Sequence, residues 1–147
     1  MLNVRWSFSA ARTPGPAPTG AAHTEEPALA AGLVRKVLVV DDEEDLANLA
    51  EALLASEGLD VVVANSAIEA LGILEQQGDI DAIFSDVMMP GMTGLQLADA
   101  VTDMYPRVKV VLTSGYTLPA LLAERKRHYL FTPKPYRLDT IMKLLRS

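Results

Sequence analysis

The chain has 147 residues, half of them hydrophobic, and carries a net charge of −6. That length suits one domain with a buried core, and the lack of cysteine excludes disulfides and thiolate metal sites. No apolar run approaches the roughly 18 residues of a membrane-spanning helix. The N-terminus also lacks the pattern of a secretory signal. We therefore expect a cytoplasmic protein that does not bind a membrane.

Charge is distributed unevenly along the chain. Residues 37–106 contain no lysine or arginine but hold 15 of the 19 acidic residues, whereas residues 107–147 carry nine basic residues and two acidic ones. The acidic part argues against direct binding of nucleic acid. The basic part favours an anionic partner, although a run of charge is more often only a solvated surface.

Residues 1–33 are predicted to form a disordered tail, and residues 34–147 a folded domain. The tail is rich in proline, glycine and alanine and shows no apolar periodicity. Such a segment buries too little surface to offset the entropy lost on ordering.

From residue 34 onwards, short β-branched apolar runs alternate with stretches of helical apolar spacing. Strands that are apolar on both faces are typical of a buried parallel sheet. The alternation predicts an α/β fold, with one parallel sheet and helices on both of its faces. The predicted strands cover 37–40, 61–64, 81–86, 109–114 and 129–132, and the helices that follow them end at Gly58 or cover 67–77, 94–104, 119–127 and 138–146.

Apolar spacing also predicts which side of each early helix faces the core. The opposite side of the first helix, with Glu44, Ala47, Asn48, Glu51 and Leu54, would then be exposed. The predicted inward positions are Leu46, Leu49 and Leu53 in the first helix, Ile68, Leu71 and Leu74 in the second, and Leu95, Leu97 and Val101 in the third.

Polar side chains stand at the carboxyl ends of four predicted strands, the edge where ligands bind to such sheets. An acidic run such as 41–45 could alone be a helix N-terminus favoured by the helix dipole, but groups from four strands favour a common site. These groups are Asp41 and Asp42 after the first strand, Asp86 at the end of the third, Thr113 and Ser114 at the end of the fourth, and Lys134 after the fifth.

Three carboxylates in one pocket repel each other unless a cation is present. Mg²⁺ prefers oxygen ligands and also neutralises an incoming phosphoryl group. An aspartate can then attack phosphorus and hold it as an acyl phosphate. The hydroxyl of Ser114 and the ammonium of Lys134 can stabilise the charge that develops on the phosphoryl oxygens.

Four segments, VLVVDDEEDL, FSDVMMPGMTGLQL, VVLTSGY and FTPKPY, resemble the receiver domains of two-component response regulators in both order and spacing. The resemblance to this CheY-like family covers residues 34–147. It implies a flavodoxin-like, doubly wound sheet of five parallel strands in the order 2-1-3-4-5.

The resemblance also implies a role for each site residue. Asp86 matches the phosphoacceptor. Asp42 would hold Mg²⁺ directly, and Asp41 partly through water. Lys134, whose bond to Pro135 is often cis in the family, would pair with a phosphoryl oxygen. The backbone carbonyl of Met88 would be a further Mg²⁺ ligand, Ser114 would be the hydroxyl switch, Thr113 would point inward, and Phe131 would be the aromatic switch or, equally, a core residue.

The implied function is that of a phosphoacceptor. A histidine kinase or histidine phosphotransfer protein would donate a phosphoryl group to Asp86, and the domain would signal to an unknown downstream protein by conformational switching. We expect no enzymatic activity beyond Mg²⁺-dependent autophosphorylation from a phosphodonor and slow autodephosphorylation. We also expect no separate output domain, so the chain would act alone or as the receiver part of a hybrid kinase.

Two alternatives compete with this interpretation. A scaffold with the same fold could have lost phosphorylation, but the complete acidic pair, Asp86 and Lys134 argue against it. A phosphatase of the haloacid-dehalogenase class needs a second aspartate two residues after the nucleophile, where this chain has Met88.

The kinase is predicted to dock on the first helix and the loop after the fifth strand. The region from 125 to 146 is predicted to leave the protein monomeric at physiological salt, because a basic patch repels its own copy across a two-fold axis. The basic residues concerned are Arg125, Lys126, Arg127, Arg137, Lys143 and Arg146.

Overall fold

Five parallel strands form one sheet in residues 33–115 and 128–147, the parts of the chain that the computed structural model describes. The spatial order is β2-β1-β3-β4-β5, so the predicted fold class is confirmed. The strands are β1 (Lys36–Val40), β2 (Asp60–Ala64), β3 (Ala82–Asp86), β4 (Lys109–Ser114) and β5 (Leu130–Pro133), and the helices in the same residues are α1 (Glu44–Ala55), α2 (Ala67–Gln76), α3 (Gly94–Met104) and α4 (Leu138–Arg146).

Two predictions fall outside this description. The proposed tail lies there apart from its last residue, and so does the predicted helix 119–127 with Arg125, Lys126 and Arg127. None of the helices in the described residues is both long enough and apolar enough to cross a bilayer.

The core has two layers, one on each face of the sheet. Side chains alternate along a strand, so Val37 and Val39 pack in one layer while Leu38 and Val40 pack in the other. The first layer is completed by α1 and α4, and the second by α2 and α3. The prediction of helices on both faces is therefore correct.

The predicted inward face of α1 is wrong. The helix packs on the sheet through Ala47, Ala50 and Leu54, whereas Leu49 is 50% exposed. Alanine at positions 47 and 50 leaves room for the helix to approach β1 and β2 closely. The face is therefore rotated by one residue, about 100°, from the side that the leucines had indicated.

In α2 the prediction is wrong at Ile68 but correct for Leu74, which is buried, and for Leu71, which is half-buried against the core; in α3 it is confirmed throughout. Ile68 is 65% exposed, because the sheet side of α2 uses Ala67, Ala70 and Leu74. In α3 all three predicted inward residues are buried, namely Leu95, Leu97 and Val101.

Candidate functional site

Three carboxylates meet at the carboxyl edge of the sheet. Asp41 follows β1, Asp42 comes next to it, and Asp86 is the last residue of β3. Each offers one carboxylate oxygen, and these oxygens all lie within 4.8 Å of one another. Asp41 and Asp86 are buried, whereas Asp42 is exposed. The structure thus brings the predicted acidic residues together and leaves one of them open to solvent.

Lys134 bridges the two buried carboxylates. Its Nζ lies 3.1 Å from Oδ2 of Asp41 and 3.3 Å from Oδ2 of Asp86. The loop that carries it is tied to β4, because the Lys134 N–H donates to the carbonyl of Ser114 at 2.9 Å. The bond to Pro135 is cis, as the family resemblance implied.

Asp41 is held by hydrogen bonds on every side. Its Oδ1 accepts from the N–H of Glu43 at 2.9 Å, and its Oδ2 accepts from Lys134. Its backbone N–H donates to the carbonyl of Ala64 at 3.1 Å, and its carbonyl accepts from Nδ2 of Asn65 at 3.0 Å. Because both carboxylate oxygens already have partners, the exposed Asp42 is the freer of the two to bind a cation directly.

The electrostatics of the site follow from burial and charge. Burial raises the pKa of Asp86, Lys134 lowers it and Asp41 raises it, and the net result is a pKa above the usual value of 3.8. Burial lowers the pKa of Lys134, but Asp86 and Asp41 outweigh this, so that pKa is also raised. Lys134 therefore stays protonated at neutral pH, which is what donation to a phosphoryl oxygen requires.

The start of α3 packs directly against the end of β3. A Cβ on Gly94 would overlap the carbonyl oxygen of Asp86, so only glycine allows this approach. Thr93 caps the helix by accepting from the N–H of Gln96, whose side chain in turn accepts from the N–H of Thr93. Gly94 thereby allows α3 to approach Asp86 closely.

The remaining predicted residues lie around this site. Ser114 and Thr113 are both buried, and Thr113 stands opposite Asp86 in the register of β3 and β4. The side chain of Met88 is about half exposed, and its N–H donates to Oδ1 of Asp86 at 3.3 Å. Phe131 is half-buried against the α2–α3 layer, an environment compatible with core packing, and its switch role stays a prediction.

Two residues at the site were missed by the sequence reasoning. Asn65 contacts Asp41, as described above. Tyr136 donates from its hydroxyl to the carbonyl of Leu46 at 3.4 Å and packs edge-on against Phe84, with ring centroids 5.2 Å apart. The available signal for Asn65 was its place directly after the second predicted strand, at the same edge of the sheet as the acidic residues.

Comparisons with known proteins agree with the geometry. A family model for the response regulator receiver domain matches residues 37–146. The chain is 37% identical over 110 residues to the sensor kinase CckA of Brucella abortus, covering 71% of this chain and 11% of that protein. The chain spans about a quarter or less of the length of the first curated relatives that it matches.

Two solved structures share the fold. The chemotaxis protein CheY4 of Vibrio cholerae gives a TM-score of 0.69 at 30% identity, covering 77% of this chain and 97% of that one. The response regulator TrrA of Thermotoga maritima, solved in complex with Mg²⁺ and BeF, gives a TM-score of 0.67 at 25% identity, covering 74% of this chain and 94% of that one.

A parallel five-stranded sheet of this order, with clustered carboxylates and a lysine at its carboxyl edge, defines a CheY-like α/β protein. The chain belongs to the response regulator receiver domain family of two-component systems.

Proposed function

We propose that this receiver domain accepts a phosphoryl group onto Asp86 from a histidine kinase or a histidine phosphotransfer protein. The observation that carries the proposal is the position of Asp86, at the end of a buried strand, within the carboxylate cluster and 3.3 Å from the ammonium of Lys134. A scaffold that had lost phosphorylation would have no need to keep this cluster of carboxylates and its lysine together at the carboxyl edge of the sheet.

The proposed phosphoryl transfer is a nucleophilic substitution at phosphorus. A carboxylate oxygen of Asp86 attacks the phosphorus of a phosphohistidine, and an acyl phosphate forms as the P–N bond breaks. The imidazole leaves with the electron pair of that bond and takes up a proton. Lys134, already beside the acceptor oxygen, donates to a phosphoryl oxygen, and the hydroxyl of Ser114 is the second proposed donor.

We further propose that the cluster works with Mg²⁺. Three carboxylates supply the hard oxygen ligands that this cation prefers, and the complex of TrrA with Mg²⁺ and BeF supports the choice. Asp42 would bind directly, Asp41 partly through water, and the backbone carbonyl of Met88 would add a ligand beside Asp86. When bound, the ion would neutralise the carboxylates and the charge on the phosphoryl oxygens.

Phosphorylation would also determine how the domain signals. Ser114 and Phe131 would transmit phosphorylation to an unknown protein partner in the cytoplasm, without binding nucleic acid. The domain would catalyse only its own phosphorylation and slow dephosphorylation. It would remain monomeric at physiological salt because the exposed Lys143 and Arg146, together with Arg137, which is paired with Asp139, give this surface a net positive charge that repels a second copy.

The function is tested by transfer from a phosphorylated histidine kinase. We expect label to move to the receiver when Mg²⁺ is present and to stay on the kinase when a chelator removes the metal. Label that moved at the same rate in both conditions would contradict the metal proposal. A receiver that took no label from any histidine kinase or small phosphodonor would favour the scaffold.

The corrected exposure of α1 gives a prediction about kinase docking. Leu49 is half exposed on an acidic, solvent-facing side of the helix, and burial of a leucine in an interface contributes about 1.5–3 kcal/mol. Leu49→Glu is therefore expected to slow transfer from the cognate kinase by at least about tenfold, with labelling by acetyl phosphate unchanged.

Ile68→Glu is the matched control for this experiment. Ile68 is an equally apolar and even more exposed residue, but it lies on α2, on the other face of the sheet. Its replacement should leave transfer from the kinase unchanged. If both variants slowed transfer to the same degree, the docking surface would not be α1.

A further inference from the structure

Asn65 links the end of β2 to the first acidic residue of the site. Its Nδ2 lies 3.0 Å from the backbone carbonyl of Asp41. A carbonyl only accepts hydrogen bonds, so the amide must present its N–H₂ group to this oxygen. The Asp41 N–H, for its part, donates to the carbonyl of Ala64. The last residue of β2 and the residue after it therefore hold Asp41 on both sides of its backbone.

The first turn of α2 fixes Asn65 in turn. The backbone N–H of Asn65 donates to Oε1 of Glu69 at 2.8 Å. The N–H of Glu69 donates to the hydroxyl of Ser66, the N-cap of α2, at 3.0 Å. These hydrogen bonds hold the backbone of Asn65 in place and therefore restrict the positions that its side-chain amide can adopt.

The contact with the Asp41 carbonyl has a consequence for Asp42. The carbonyl of Asp41 and the N–H of Asp42 belong to one planar peptide group. A hydrogen bond that fixes the Asp41 carbonyl therefore also fixes the orientation of the peptide plane that precedes Asp42. Asp42 is the exposed member of the carboxylate cluster, so its direction is the least restrained by packing.

We infer that Asn65 is a positioning residue of the divalent cation site, acting through the Asp41–Asp42 peptide. The inference rests on the proposed Mg²⁺ site and adds to it a residue outside the acidic cluster. A purely structural role for Asn65, closing the turn between β2 and α2, would affect stability but not the affinity for the cation.

Direct binding of Mg²⁺ to the full chain, measured by titration calorimetry, separates these roles. Asn65→Ala and Asn65→Leu both remove the donor, and the leucine keeps a similar volume. Each is expected to raise the dissociation constant for Mg²⁺ by roughly fivefold, because about one hydrogen bond is lost. Ser66→Ala is the control, because it weakens the cap of the same helix without touching Asp41. It should lower the melting temperature but raise the dissociation constant for Mg²⁺ far less than the Asn65 variants do, because the amide donor is still present.

The outcomes are distinguishable. If the wild type binds Mg²⁺ and both Asn65 variants bind it equally well, the positioning role is wrong and the proposed cation site stands. If Ser66→Ala weakens binding as much as the Asn65 variants do, the effect belongs to the start of α2 as a whole, and the role of the amide is again wrong. A wild type that binds no Mg²⁺ would overturn the cation site itself, and this inference with it.

Discussion

Replacing Lys134 with methionine is expected to destabilise the metal-free protein by about 3–5 kcal/mol, the usual cost of removing one partner from a buried ion pair. Lys134 contacts Asp41 and Asp86 within 3.3 Å, and all three side chains are largely buried. Methionine keeps the apolar length of the side chain and removes only the charge, so two buried carboxylates would be left without their cation. The free energy of unfolding in urea, measured with a chelator present, gives the effect.

Lys143→Met controls for the loss of a positive charge. Lys143 is exposed near the end of α4, so its replacement should change stability by no more than about 0.5 kcal/mol. Added Mg²⁺ should stabilise the Lys134 variant more than it stabilises the wild type, since the ion would compensate the same two carboxylates. Equal stability of Lys134→Met and the wild type without metal would show that the bridge does not hold the site together.

Replacing Asp42 with alanine is expected to abolish most of the stabilisation that Mg²⁺ gives. A ligand present at one hundred times its dissociation constant stabilises the folded state by about 2.7 kcal/mol, and Asp42 is the proposed direct ligand. Because Asp42 is exposed, its loss should leave the stability of the metal-free protein nearly unchanged. Thermal unfolding with and without Mg²⁺ measures both quantities.

Asp45→Ala is the matched control for Asp42. Asp45 is equally exposed and lies in the first turn of α1, but it is not part of the carboxylate cluster. It should keep the full response to Mg²⁺. A response that is the same in Asp42→Ala and Asp45→Ala would place the metal elsewhere.

The fold was predictable because its three central strands, β1, β3 and β4, are buried on both faces. Runs such as 37–40 and 110–112 are apolar without alternation, which is typical of a parallel sheet covered by helices. The strand order came from the family resemblance, since periodicity alone cannot say which strands are neighbours. The bounds differ by a residue at most at each strand end, as is usual for element ends.

The facing of α1 was not predictable from apolar spacing. Leucines at 46, 49 and 53 and the set Ala47, Ala50 and Leu54 both fit a helical period, and hydrophobicity favours the leucines. The side with the small residues faces the sheet, because it allows the helix to approach the sheet closely. That approach is a tertiary property, and no local pattern in the sequence records it.

The candidate site was predictable in its charged members and not in its supporting contacts. Asp41, Asp86 and Lys134 carry charges at strand ends, so their convergence followed from the topology. Lys134 is 93 residues from Asp41 in the chain, yet parallel strands bring both to one edge. The side chains of Asn65 and Tyr136 each donate to a backbone carbonyl. The place of Asn65 after a strand was visible in the sequence, but the identity of a backbone partner was not.

The central claim, that Asp86 is the phosphoacceptor, is tested most directly by intact mass after incubation with acetyl phosphate and Mg²⁺. Asp86→Asn keeps the shape of the side chain and removes the nucleophilic carboxylate. Asp81→Asn serves as a control. Asp81 lies at the opposite edge of the sheet, where its carboxylate accepts from the N–H groups of Arg35 and Lys36. The wild type and the Asp81 variant are expected to gain the mass of one phosphoryl group, and Asp86→Asn none. A phosphoryl group gained to the same extent by Asp86→Asn would contradict the assignment.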